Sequence, residues 1–316
     1  MSHIPRILVL VVFSTLLSAA AFAWDETGHK ITAYIAWKQM KPEVREKVIE
    51  LMLKAPENSD LGKIFDSYNS RSDAAKKLEL FLYAASWPDY IKNRNYKVRY
   101  STYNHGDWHY SDIFWKQMDR KAEILKNFPV ESGKANAKLA DFEKTLRDPK
   151  SPDAEKAIAI AWFIHVAGDI HQPLHNASRV TDSEKEGDQG GNMFVLRERT
   201  EKDFGVNLHS YWDSIVSRVD SRKDDECDPD YIKPIAESFS KKYGFSKFNN
   251  SLELGKYDKW NQEGFAFLNS DVYTADLKRG SMPSKKYEKN AFKLARKQMA
   301  LAGYRIGETF NGIFGK

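Results

Sequence analysis

The chain has 316 residues, 41% hydrophobic and 29% charged, the balance of a soluble globular protein with a sizeable core. Its formal charge of +5 is a mild basic bias that suits an anionic substrate without demanding one. The single cysteine, Cys227, excludes an internal disulfide, so an exported form needs another staple, and bound metal is one.

The first stretch differs from the rest. Arg6 precedes an apolar run from Ile7 to Leu17, and Ser18-Ala-Ala-Ala-Phe-Ala23 has the small-residue form of a secretory cleavage site. The run is too short to span a bilayer comfortably, and no second long apolar segment follows. The expectation is a signal peptide over 1–23, cleavage between Ala23 and Trp24, a secreted or periplasmic product and no stable membrane association.

Beyond Trp24 the pattern is overwhelmingly helical. Apolar residues at helical spacing predict helices over Lys30 to Met40, Pro42 to Leu53, Ala74 to Ala85, Ala135 to Leu146, Asp153 to Asp169, Leu208 to Val219, Asp230 to Lys241, Lys259 to Tyr273 and Tyr287 to Phe310. In the last, Ala295, Met299, Ala302, Ile306 and Phe310 form one buried face. The strand candidate is Gly191 to Arg197, half of a hairpin completed near Gly205. Loops are expected at Ala55 to Arg71, Asn93 to Gly106, Thr181 to Gly191 and Ser221 to Pro229, the last carrying Cys227 as a free thiol in an exposed acidic run. The fold class expected is all-α, mainly α-helical, with at most a short β-hairpin near 191–206, in a single domain over 24–316.

The chemistry centres on His165-Val-Ala-Gly-Asp169-Ile-His171-Gln-Pro173-Leu-His175. Positions 165 and 169 are four apart on a predicted helix, so one turn puts both side chains on one face, at metal-ligand spacing. Pro173 breaks the helix, and His175 leaves at another angle. Alone, such a pair is more often a surface pair than a metal site. Four further blocks change the weighting: Trp24-Asp-Glu-Thr-Gly-His29, Ser86-Trp-Pro-Asp89-Tyr-Ile-Lys92, Trp108-His109-Tyr110-Ser-Asp112 and Asn207-Leu-His209-Ser-Tyr-Trp212-Asp213. His209 and Asp213 repeat the four-residue spacing, and two such pairs are much rarer by chance than one. Trp24 and Trp87 taken alone read as core aromatics, His105 as a loop histidine and His171, which faces away from His165, as structural.

Together these blocks resemble the single-strand-specific zinc nucleases of the S1/P1 family, whose superfamily includes the zinc-dependent phospholipases C. The resemblance covers nearly the whole chain after Trp24, and the lack of disulfides points to a bacterial-type member. It implies three zinc ions. Asp89, His109 and His165 would hold the first. Asp169 would bridge it to a second, held also by His29 and by the amino nitrogen and carbonyl oxygen of Trp24. The third would take His175, His209 and Asp213. A metal readily displaces the proton of an α-amino group whose unperturbed pKa is about 7.7 to 8.0.

By the same resemblance, Asp169 would also orient the attacking water, Lys92 would contact phosphate, Tyr110 would stack on a base, and Asp112 and Asn192 would bond to its edge. The implied substrates are single-stranded DNA and RNA and 3′-nucleotides, with 5′-nucleotides as products, and the expected state is a monomer. Tyr110 as core and Asp112 as a helix cap is the plainer alternative. The acidic segment Arg179 to Gln189, with Glu184, Glu186 and Asp188, is expected to lie beside the cleft and to oppose long polyanions. A zinc phospholipase C shares the scaffold and is the rival enzyme; a nonenzymatic zinc or nucleic-acid-binding protein is the rival from another class.

Overall fold

The computed structural model describes residues 24–67, 71–118, 121–201, 203–223 and 228–315, so the expected signal segment over 1–23 and Cys227 lie outside the described residues. From the first described residue, helix follows helix: α1 (Glu26–Gln39), α2 (Pro42–Met52), α3 (Ile64–Ser67), α4 (Asp73–Tyr90) and α5 (Lys97–Tyr103). After two strands, β1 (Ile113–Met118) and β2 (Lys121–Ile124), come α6 (Ala135–Arg147) and α7 (Asp153–Asp169). Short strands β3 (Ala177–Arg179), β4 (Val195–Arg197) and β5 (Val206–Asn207) lead into α8 (Leu208–Asp213), α9 (Ile215–Val219), α10 (Asp228–Lys242), α11 (Tyr257–Ala266) and the 30-residue α12 (Lys285–Phe314).

The axis of the fold is α7. From Ala159 to Asp169 every one of its residues is buried, so this helix is apolar all round rather than along a stripe. It contacts α1, α2, α4, α6 and α12. Its C-terminal turn therefore lies in the interior, with His165 and Asp169 fully enclosed.

Several elements depart from the reading of the sequence, among them α3 within the expected loop over 55–71 and a break at Ser214 between α8 and α9. Helix α4 runs on to Tyr90 through Pro88, which lacks the N–H that would bond the Ala84 carbonyl and so loosens the last turn. A helix, α5, interrupts the expected loop over 93–106. The structure also contains more β than one hairpin. The hairpin is present as β4 against β5, but β1 additionally pairs antiparallel with β2 and parallel with β3, giving the order β2-β1-β3. The run Ile-Phe-Trp-Lys-Gln-Met of β1 has no clean alternation, and three-residue β3 exists only because β1 is there to bond it.

Helices α1 and α12 approach closely at Gly303. A Cβ there would stand 2.6 Å from Ile35 Cβ and 2.8 Å from the Thr32 carbonyl oxygen. Gly303→Ala is therefore expected to destabilise by about 2 kcal/mol through overpacking, against a helix propensity that by itself favours alanine by roughly 1 kcal/mol. Gly312→Ala, on the same helix with no atom nearer than 3.9 Å, is expected to be neutral or stabilising. Thermal unfolding of both variants checks the pair, and equal melting temperatures would contradict the close approach.

Candidate metal centre

Six segments deliver eight imidazoles and carboxylates to one end of α7. Asp25 caps α1 by accepting from Gly28 N–H at 3.0 Å, starting the helix so that His29 lies on its inner face. The loosened end of α4 carries Asp89. His109 follows a short 3-10 turn over Gly106–Trp108, and α7 supplies His165 and Asp169. Pro173 opens a second 3-10 turn, Pro173–Asn176, that carries His175. Asn207 and Ser210 form a capping box that starts α8 and sets His209 and Asp213 one turn apart. All eight are buried, none more than 8% exposed.

Their donor atoms fall into three groups: His29 with His165 and Asp169, Asp89 with His109 and His165, and His175 with His209 and Asp213. Asp169 faces both of the first two. Its Oδ1 lies 3.3 Å from His29 Nε2, while its Oδ2 lies 3.0 Å from His109 Nδ1 and 3.3 Å from His165 Nε2. In the third group His209 Nε2 is 3.5 Å from Asp213 Oδ2, and His175 Nε2 is 3.9 Å from Oδ1.

Backbone carbonyls fix three of the rings. His165 Nδ1 bonds the Ala85 carbonyl, His175 Nδ1 that of His109 and His209 Nδ1 that of Gly190, each at 2.7 Å. An Nδ1–H committed to a carbonyl leaves Nε2 with its lone pair, which is how metal-binding imidazoles are oriented. Gly190 has φ +60, and a Cβ there would run into the Leu174 carbonyl, so only glycine lets this turn reach His209.

The set meets the requirement of a cation. Both nitrogens of His29, Nε2 of His109 and of His175, and Oδ1 of Asp169 are buried with no hydrogen-bond partner among the described residues. Groups of this kind are costly to bury without one. Burial holds the imidazoles of His29, His109 and His175 well below the usual histidine range and that of His165 down at about 3. Burial pushes the carboxyls of Asp169 and Asp213 well above theirs, the Asp89 charge adding to the effect on Asp169. Neutral imidazoles beside carboxylates that resist ionising alone are a donor set completed by a divalent metal.

Trp24 is fully buried, and the segment it begins is tied to the third group, because Asp25 N–H donates to the Asp213 carbonyl at 2.9 Å. Lys92 Nζ lies 2.7 Å from Asp89 Oδ1. A cleft of about 670 Å³ opens beside the groups, lined in part by Asp89, Asn192, His209 and Asp213. Tyr110 and Asp112 do not line it. Both are half-buried just beyond His109, with the Tyr110 ring against Gly133, and burial raises the Asp112 carboxyl, the charge of Asp188 adding to it.

Two of the acidic residues of segment 179–189 are tied into the fold. Asp188 is fully buried, accepting from the N–H groups of Arg179 and Gly191 and from the Tyr273 hydroxyl. Glu184 is paired to Arg279, and no residue of the segment lines the cleft. His171 is structural, as expected, donating to the Ala167 carbonyl and accepting from buried Arg305.

Gln172 is the residue that sequence reasoning passed over. Fully buried, it donates from Nε2 to Asp213 Oδ1 at 2.7 Å and accepts the Leu174 N–H on its own oxygen. Glutamine is a rare metal ligand, so its place inside the motif carried no signal by residue type. Gln172→Leu is expected to weaken metal binding at the His175, His209 and Asp213 group by roughly 10- to 100-fold, the usual effect of removing such a support. Competition with a chelating dye checks this, and an unchanged affinity would show that Asp213 needs no such anchor.

Against known proteins, a model of the S1/P1 nuclease family matches residues 24–315. Endonuclease 5 of Arabidopsis thaliana is 23% identical over 324 aligned residues, which cover 97% of this chain and 96% of that protein. The family match takes in every segment that delivers a side chain to the end of α7, and the chain belongs to the S1/P1 nuclease family.

Proposed function

We propose that this nuclease is an exported, zinc-dependent endonuclease that cleaves single-stranded DNA and RNA to 5′-nucleotides and removes the phosphate of 3′-nucleotides. The observation that carries the reading is the three-part donor set with one carboxylate, Asp169, turned by its two oxygens toward two neighbouring groups.

Asp89, His109 and His165 would hold one zinc ion. Asp169 would serve a second with His29 and with the amino nitrogen and carbonyl of Trp24, while His175, His209 and Asp213 would hold a third. Bound zinc supplies Lewis acidity and brings the pKa of coordinated water from 15.7 to about 7. Asp169, fully buried and anchored on a helix packed on all sides, orients the attacking water. Three divalent ions against three carboxylates leave the site net positive, which suits a phosphodiester, and Lys92 adds a further cation beside Asp89.

Tyr110 and Asp112, next to His109, and Asn192, on the cleft wall, are the proposed base contacts. Burial and the nearby Asp188 charge raise the Asp112 carboxyl, which favours the form able to donate to a base edge. Stacking requires a base free of a duplex, so single strands are preferred. The match to the family begins at residue 24, the residue that signal cleavage would expose.

The test is incubation of protein beginning at Trp24 with single-stranded DNA, with and without a zinc chelator. Chelator-sensitive release of 5′-nucleotides is expected, and Asp169→Asn should lower it by more than the roughly hundredfold typical of outer-sphere changes. Hydrolysis of phosphatidylcholine with no action on DNA would move the assignment to a phospholipase C. A residue fused directly before Trp24 is expected to cost one zinc equivalent and most of the activity; full activity with the fusion would overturn the role of the Trp24 amino group.

A further inference from the structure

The wall of the cleft carries more than the metal-ligand groups. Arg197 and Arg199, from the β4–β5 hairpin, and Arg218, from α9, line the same space as Asp89, His209 and Asp213. Arg197 is held by Asp203, with Nε at 2.9 Å from one carboxylate oxygen and Nη2 at 3.1 Å from the other. Arg199 and Arg218 are different. Among the described residues neither contacts a carboxylate. Arg218 is steadied by its Nε, which donates to Ser214 Oγ at 2.7 Å, directly after the ligand Asp213, and its guanidinium lies over the Tyr211 ring at 5.1 Å.

The carboxylates on this wall are mostly engaged elsewhere. Asp25 caps α1 and accepts from Ser217, Glu26 is paired with Lys30, and Asp89 and Asp213 belong to the ligand groups, which leaves Glu198. Two exposed guanidinium forks thus face a cleft whose inner groups suit a phosphodiester. Guanidinium geometry matches phosphate oxygens two at a time.

We propose that Arg199 and Arg218 bind the phosphates that flank the scissile one, so that the cleft is a subsite for a running polynucleotide strand. The proposal rests on the nuclease reading above. It makes length a determinant of specificity, because a dinucleoside monophosphate has only the scissile phosphate and cannot reach either arginine with another.

The experiment compares wild type with the Arg199→Ala/Arg218→Ala double variant on thymidylyl-thymidine and on a short oligothymidylate, at several salt concentrations. The double variant is expected to lose its preference for the oligomer, the ratio of kcat/KM values for oligomer over dinucleotide falling by about tenfold or more. The dependence of log KM on log salt for the oligomer should flatten by about 1.4, from two phosphate contacts at roughly 0.7 each. Arg199→Lys/Arg218→Lys should keep that salt dependence while losing part of the ratio, since lysine retains charge without the fork. An unchanged ratio and salt slope, with wild type active, overturns the subsite and leaves the nuclease standing. A wild-type protein that cleaves neither substrate overturns the nuclease reading and the subsite with it.

Discussion

Desolvation of eight imidazoles and carboxylates at the end of α7 is the constraint to which the rest of the structure answers. Each of those groups would be hydrated in an unfolded chain, and in the fold each needs either a committed partner or a cation. The backbone commits what it can. Carbonyls from α4, from the segment at His109 and from the Gly190 turn take one nitrogen of three separate rings. What is left uncommitted points inward, so a metal bound there would couple its binding energy to folding.

The turn after α7 is where that coupling is concentrated. Within seven residues it carries Asp169 and His175, and two residues between them and the one that follows are tied outward in three directions. His171 is bonded to Arg305, whose guanidinium also reaches the Ser251 and Leu252 carbonyls and Glu263. Gln172 reaches Asp213 on α8. Asn176 donates to the Ile170 and Gln172 carbonyls and accepts from Asn261 on α11. A segment with no disulfide is in this way held by buried hydrogen bonds to α8, α11 and α12. Because each bond has its donor and acceptor both desolvated, loss of one leaves the other unpaired, and the turn resists being loosened piecemeal.

The sequence made the helices and the ligand groups legible because both signals are local. Four-residue spacing of His165 with Asp169 and of His209 with Asp213 survives any error in helix ends, and α7 begins and ends where its periodicity said. What was not legible depends on partners distant in the chain. Strand β3 is three residues long and is defined by β1, over sixty positions earlier. The continuation of α4 through Pro88 runs against the local preference of proline and is held by burial of Trp87 and Asp89. Asp188 read as part of an acidic surface loop, and no local feature showed that Arg179, Gly191 and Tyr273 would enclose it. Gln172 was missed for a chemical reason: its type names no role until Asp213 is seen beside it.

Asp188 also links two functions that the sequence presents as separate blocks. It holds the N–H of Gly191, while the carbonyl of Gly190 orients His209, so one glycine turn fixes a member of the third ligand group. The same carboxylate is close enough to Asp112 to help raise its carboxyl, and the turn continues directly into Asn192. The proposed base contacts and the proposed third metal position therefore share a single support. A shift of this turn large enough to admit a different base would also move the carbonyl that His209 depends on, at 2.7 Å where a few tenths of an ångström matter. If these residues contact a base as proposed, a change in base preference would be easier to obtain at Tyr110, which stands on its own segment against Gly133, than at Asn192.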